Sequence, residues 1–350
     1  MTDETNAAPI LSGDDKAKIK EWYGIDVDSD VLSPMVDYIF KRIFIADDVR
    51  SETALIDLLN SLLEPVGSDR ITQILVVNPE IPVESGKRKK AIFDIRVKLS
   101  DGRQAIVEMQ LSGAKSFRKR AQFIISKAYS SQEISGEKYD ALKKCYLICI
   151  INFPLFKEPG GLTTAYRYRD KCGNDLTDDQ TIIFLQLPEA NKILDKPVET
   201  MTDQEMWALF FLHMPDKWYR EKLNAIIERK EGIRMAANVL FEVSQDEKAR
   251  IQYENELIAD LDERSRISDA MEEGIAIGEE RGIAIGEERG IVIGEERGIA
   301  IGEERGIGIG VDTALRVFNA LKARVPVDEI AAVYKLSHEQ IESIRSTLGL

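Results

Sequence analysis

The sequence predicts an α/β protein: helices packed on a mixed sheet, followed by an all-helical C-terminal region. Three observations point that way. Residues 93–99 and 104–110 are alternating runs on either side of Ser100-Asp101-Gly102, a strong hairpin signal. Residues 145–153 form a continuous apolar run of the kind a buried strand shows. From Thr202 onward, helical spacing replaces strand patterns.

Taken in order, residues 1–32 are acidic and polar, read as a flexible lead-in, and carry no signal-peptide pattern. Ser33-Pro34 supplies an N-cap and a first helical residue. The helix that follows is apolar on the side of Met35, Ile39, Phe40, Ile43 and Phe44. A second helical run, residues 52–63, stops at Pro65-Val66-Gly67. Residues 71–77 read as a strand, and the hairpin comes after a basic loop. Residues 115–133 form a basic amphipathic helix carrying Phe117, Phe123, Ile124 and Tyr129. Residues 145–153 and 181–187 complete the strands, so one unit spans residues 33–195.

Residues 196–270 are a helical region in which Trp207, Phe210, Phe211, Trp218 and Tyr219 supply anchors. Residues 271–310 then hold an octad repeat, Gly274-Ile275-Ala276-Ile277-Gly278-Glu279-Glu280-Arg281, repeated closely from Gly282, Gly290 and Gly298. As a helix it carries glycine at every fourth position, each costing about 1 kcal/mol against alanine. Its isoleucines fall around the whole circumference, so no ordinary apolar stripe forms. Close-approaching glycines between helices, a β-like stack and disorder are the alternatives; a helical rod used for self-association is the favoured one. Gly306-Ile307-Gly308-Ile309-Gly310 mimics a phosphate-binding run but follows no strand. Residues 311–350 read as a helical hairpin, and its second helix offers Glu339, Gln340, Glu342 and Arg345. That set suits packing or oligomerisation better than reading base edges.

Length and composition narrow the classes. The chain has 350 residues, 44% hydrophobic and 31% charged, which describes a soluble globular protein of two or more structural units. No apolar run is long enough to span a bilayer. Three cysteines without Cys-x-x-Cys spacing argue against a disulfide framework and a zinc site, and Cys145 and Cys149 read as core. The expected location is cytoplasmic. The net charge of −14 argues against nucleic-acid binding, yet residues 81–130 hold twelve basic and four acidic side chains. That island includes Lys87, Arg88, Lys89, Lys90, Arg118, Lys119 and Arg120 and surrounds the hairpin, where a phosphate backbone would approach. Solvated strand and helix faces are the plainer explanation of the same charges.

The hairpin carries the chemistry. Folding about Asp101 sets Asp94 nearly opposite Glu108, with Phe93, Ile95, Val97 and Leu99 on the other face. Facing side chains start roughly 4.5–5.5 Å apart at Cβ, and like charges there repel. Two opposed carboxylates on a well-patterned hairpin therefore suggest a bound divalent cation. Magnesium takes oxygen ligands and keeps several waters, so Asp94, Glu108 and the Met109 carbonyl would suffice alongside a substrate phosphate. Gln110 shares the face of Glu108, and its amide can orient a water but carries no charge. Ordinary surface ion pairing of Asp94 with Arg96 or Lys98 is the competing explanation. His213 and His338 are the only histidines and lie far from the hairpin in sequence, which disfavours histidine-based mechanisms.

These residues also carry a resemblance. Ser33-Pro34-x-x-Asp37-Tyr38-x-Phe40-Lys41-x-x-Phe44, Phe93-Asp94-Ile95-Arg96-Val97, Asp101-Gly102 and Val107-Glu108-Met109-Gln110 occur in that order. Arg120, Gly136-Glu137-x-Tyr139-x-x-Leu142, the glycine-rich repeat and the Ile330-Ala331…Leu336-Ser337…Ile341 ending follow. With this set the chain resembles the recombination-promoting nuclease (Rpn) and transposase family, a branch of the PD-(D/E)xK nuclease superfamily, over most of residues 33–270. The resemblance implies a restriction-endonuclease-like core at residues 33–195 and a DNA endonuclease using Mg²⁺, with Mn²⁺ as a substitute. It implies Asp94 and Glu108 as metal ligands and cuts that promote recombination. Gln110 stands where the wider superfamily has lysine, and Phe93 where it often has proline; Lys87, Lys89 and Lys90 are candidates to compensate for the lysine. Asp37 matches the family's first-helix acid; it either reaches the metal or pairs with Lys41 four residues on. A non-catalytic DNA- or partner-binding protein on the same fold is the rival, and restraint of the core by the acidic C-terminal region a third idea. A double-strand cut needs two sites, so a homodimer or higher self-association through the C-terminal region is expected.

Overall fold

The structure is a computed structural model that describes residues 11–64, 67, 69–78, 80–81, 91–113, 116–132, 138–156, 160–347 and 349. The basic loop holding Lys87, Arg88, Lys89 and Lys90 lies outside them. Helices α1 (Gly13–Tyr23), α2 (Asp37–Phe44) and α3 (Val49–Leu63) precede strands β1 (Ile74–Val76), β2 (Glu80–Ile81), β3 (Ala91–Ile92), β4 (Ile95–Leu99) and β5 (Gln104–Gln110). Helix α4 (Phe117–Ser130) leads to β6 (Cys145–Ile151), β7 (Thr163–Tyr166) and β8 (Gln180–Gln186). Then come α5 (Asp203–His213), α6 (Arg220–Arg229), α7 (Glu231–Ser244), α8 (Glu247–Lys322), α9 (Val327–Tyr334) and α10 (His338–Thr347). The chain divides into two compact units, Met1–Ser265 and Arg266–Leu350.

The first unit is built on a six-stranded mixed sheet of order β1-β4-β5-β6-β8-β7. β4 and β5 pair antiparallel, with Ile95 opposite Val107 and Lys98 opposite Gln104. β5 runs parallel to β6, and α4 makes the crossover that a parallel pair requires. Alternation sends Ile95, Val97, Leu99, Ala105, Val107 and Met109 into a large core shared with α1, α2, α3, α5, α6 and α7. The opposite face carries Ile106, Leu147, Cys149 and Ile151 under α4, whose Phe117, Ala121, Ile124 and Ile125 are buried against them. Phe123 on α4 is half exposed. All seven residues of β6 are buried, and Cys145 and Cys149 are free thiols in this core. β7 has no counterpart in the sequence-based expectation.

Four local expectations are corrected. Residues 13–32 are not a loose lead-in: α1 is closed by a Ser12–Asp15 capping box, and Ile19, Tyr23, Ile25 and Leu32 are buried. The helix after Ser33-Pro34 begins at Asp37, because Ser33 instead opens a turn in which its backbone carbonyl accepts from the Val36 N–H. Phe93 does not share the face of Ile95; the chain bends at Asp94 and Phe93 joins the cluster beneath α4. Trp218 is 92% exposed and anchors nothing, whereas Trp207, Phe210 and Phe211 are fully buried.

The expected boundary near residue 195 falls inside the first unit. Trp207 Nε1 donates to Asp57 Oδ1 at 2.9 Å, and Lys230 Nζ bridges Asp57 and Asp203, so α3, α5 and α7 are tied together. Contact there is close enough that a Cβ on Gly232 would sit 2.2 Å from Asp57 Cβ. In the second unit α8 continues as one helix through all the octads, every residue of which is exposed. Val317, Ile330 and Ile341 join the end of α8 to α9 and α10, as the helical-hairpin reading expects. Among the described residues no helix is long and apolar enough to cross a membrane.

Candidate active site

The hairpin turn fixes the site. Gly102 takes φ of +89°, its N–H donates to the Leu99 carbonyl, and the Leu99 N–H donates to the Arg103 carbonyl. A three-residue loop with glycine in the left-handed region sets this register. The pairing of Ile95 with Val107 is the last on the ladder, so the next position brings Asp94 to Glu108. Asp94 Oδ2 accepts from the Met109 N–H at 2.8 Å, and Glu108 Oε1 accepts from the Asp94 N–H at 3.4 Å. The bend at Asp94 lets its carboxylate take the backbone donor that a longer β4 would have paired.

Burial makes this pair electrostatically costly. Glu108 is 1% exposed, and Asp94 is partly buried. Desolvation raises the pKa of both above the ordinary carboxylate range. The neighbouring charges add to this: Asp37 on Asp94, and Asp94 and then Asp37 on Glu108. The Asp37 charge thus bears on both members of the pair. Two cations oppose them. Arg120, on α4, places a guanidinium nitrogen 3.3 Å from Glu108 Oε2 and is itself half exposed. Lys41, on α2, pairs with Asp37 at 2.6 Å, and its charge also bears on Asp94.

Asp94 and Glu108 are brought together. Asp37 is held by Lys41 in the (i, i+4) pair. Gln110 ends β5, two residues beyond Glu108 and partly buried. Arg118 and Lys119 are exposed on α4, but Arg118 lies over the Phe156 ring at 4.9 Å. Arg120, expected among the groups facing a phosphate backbone, faces Glu108 and keeps half its side chain exposed. Sequence reasoning named Lys41 only as a helix-surface partner of Asp37 and Arg120 only as a DNA-backbone contact and a residue of the resemblance, and set neither beside the acid pair. Among the described residues no three His, Cys, Asp or Glu side chains converge closely enough to hold an ion. The donor set at hand is two carboxylates and backbone oxygen, which suits a hard divalent cation that keeps its waters. A buried and a partly buried carboxylate with raised pKa values fit such an ion, since a divalent charge offsets both.

A mixed sheet flanked by helices, with paired acids at the end of its hairpin, is a restriction-endonuclease-like architecture. The chain belongs to the family described as PD-(D/E)XK nuclease family transposase, whose model matches residues 34–270. No curated protein matches the chain, and no solved structure does. The family assigns the chain to nuclease or transposase-related proteins, a class that typically uses divalent metals.

Proposed function

We propose that this protein is a divalent-metal-dependent endodeoxyribonuclease that hydrolyses phosphodiester bonds and whose cuts promote recombination. The carrying observation is the Asp94–Glu108 pair, one partly buried and one fully buried carboxylate opposed across a hairpin end. Asp94, Glu108 and the Met109 carbonyl would hold Mg²⁺, or Mn²⁺ in its place. In an extended strand the N–H and C=O of one residue point to the same edge, so the Met109 carbonyl faces the side on which its N–H meets Asp94. When bound, the ion lowers the pKa of a water and neutralises charge on the scissile phosphate.

The remaining roles fall to side chains. Gln110 orients the attacking water through its amide. Arg120 supplies the positive charge that Gln110 lacks, and its guanidinium matches phosphate oxygens as well as the Glu108 carboxylate. Lys41 positions Asp37, which joins the site directly or through water. Lys87, Arg88, Lys89, Lys90, Arg118 and Lys119 bind the DNA backbone. The exposed isoleucines of the octads favour a second copy of the chain as partner for α8.

The test is plasmid nicking and linearisation by wild type and Asp94→Ala, side by side, with Mg²⁺, Mn²⁺ or EDTA. Metal-dependent cutting that the substitution abolishes supports the assignment. Equal cutting by both proteins places the chemistry elsewhere. Gln110 at the lysine position and the two-carboxylate donor set favour one rival, a DNA-binding protein on a nuclease fold. It predicts no cutting by either protein and equal DNA affinity for both.

A further inference from the structure

A cavity of about 220 Å³ lies on the α4 side of the sheet, away from the carboxylate pair's own residues. Arg118, Phe156, Tyr166, Tyr168, Gln180 and Phe184 line it, so α4, the segment after β6, β7 with its exit, and β8 all contribute. Three of its rings are left open: Phe156 is 37%, Tyr166 40% and Tyr168 44% exposed. Large exposed apolar groups gathered in one place mark binding surfaces. Tyr166 packs edge-on to Phe184 with ring centroids 5.7 Å apart, and Phe156 lies 6.3 Å from Tyr166 at 42°. The platform is thus fixed from below by a buried ring.

The polar groups of the cavity narrow what it takes. Arg118 rests its guanidinium on Phe156 at 4.9 Å and has no carboxylate partner among the described residues. The Gln180 carboxamide oxygen is buried and has no hydrogen-bond partner among them. A flat π-system for the rings, an anion for Arg118 and an N–H donor for Gln180 occur together in a nucleotide. Base faces stack on aromatic side chains and guanidinium planes only when the base is unpaired, because a duplex hides them. Arg118 and Arg120 stand two residues apart on α4, the second at Glu108, so one helix carries a cation to each place.

We infer that this cavity binds an unpaired nucleobase of the substrate, stacked on the Phe156–Tyr166–Tyr168 cluster with its phosphate on Arg118. The inference rests on the reading of DNA as the substrate. The unpaired base comes from a single strand or from a nucleotide extruded from a duplex.

The test uses the full chain in EDTA, so that binding is read without cleavage. Fluorescence anisotropy is measured with a labelled single-stranded oligodeoxynucleotide, a blunt duplex of the same length, and that duplex with one bulged nucleotide. The proteins are wild type and Phe156→Leu/Tyr168→Leu, which keeps apolar bulk at exposed positions; a melting curve verifies folding. The expected result is wild-type preference for the probes with unpaired bases, and a loss of about tenfold or more on those probes alone in the variant. Loss on the bulged duplex but not the single strand assigns the extruded source, and the converse assigns the single strand. A folded variant that binds all probes as wild type does overturns the inference, and so does a wild type that binds none. The enzyme reading is judged separately, by metal-dependent cutting of the blunt duplex: its failure leaves a variant-sensitive binding result standing.

Discussion

In β6 all seven residues, from Cys145 to Ile151, are buried, while in the octads of α8 every isoleucine from Ile275 to Ile309 is exposed. Both stretches are rich in the same aliphatic residues, and both are regular. The difference lies in whether the apolar period matches a surface. A strand's two-residue period serves a sheet covered on both faces, so each side chain finds a layer. An eight-residue repeat advances about 80° around a helix per octad at 100° per residue, so no single neighbour covers it. The sheet unit therefore draws its stability from tertiary packing, whereas the octads are held by the helix's own hydrogen bonds. The two regions should answer to opposite kinds of substitution.

The largest effect is expected at the buried end of this comparison. Trp207→Ala removes a fully buried ring stacked on Phe211 and frees Asp57 of a hydrogen bond. Chemical denaturation should show a loss of about 3–5 kcal/mol. A loss under 1 kcal/mol would mean the helices after residue 195 are not part of one core with the sheet. Glycine sharpens the contrast. Gly232→Ala drives a Cβ into Asp57 and should cost about 1–3 kcal/mol by the same measurement.

The carboxylate pair gives an effect that depends on pH. Folded-state pKa values raised above the unfolded ones mean that the native state binds more protons. The pair's contribution to metal-free stability is then fully present below the ordinary carboxylate range. It is lost as pH rises through the raised values. Glu108→Gln should remove most of that slope and stabilise the metal-free protein near pH 8 by on the order of 1–2 kcal/mol, while cutting is lost. Melting temperature against pH, with and without Mg²⁺, checks both halves. Wild type should gain stability from the ion near pH 8, and a metal-insensitive Tm there would count against an ion at this pair.

The smallest expected effect has the opposite sign. A Cβ on Gly286 meets nothing within 4 Å, so Gly286→Ala should add about 1 kcal/mol to the helix, read by circular dichroism on heating. Light scattering on the same variant tests the partner. If glycines let a second copy approach α8, the added methyl lowers self-association even as helicity rises. Deleting residues 271–310 should abolish it, and an unchanged oligomeric state would place any association elsewhere.

How much of this was legible in advance divides by sequence distance. Alternation, the Asp-Gly turn and Gly102 were sufficient to bring Asp94 to Glu108, because register in a hairpin is set by residues only a few positions apart. The buried strand at 145–151 was legible for the same local reason, whereas the octads' helix was one of several forms that glycine at every fourth position left open. The two cations of the site were not. Arg120 reaches Glu108 only because α4 packs back on β6 and β8, and Lys41 bears on Asp94 only because the fold brings near it a charge from 53 positions upstream. The aromatic cavity likewise needs β7, which the sequence pattern concealed, to stand beside β8. The sequence by itself thus determined the opposed acids and the repeat's lack of a stripe, since both follow from backbone period and turn chemistry. The tertiary structure decided which charges balance those acids and where rings gather, since these depend on long-range contacts between elements that no local pattern encodes.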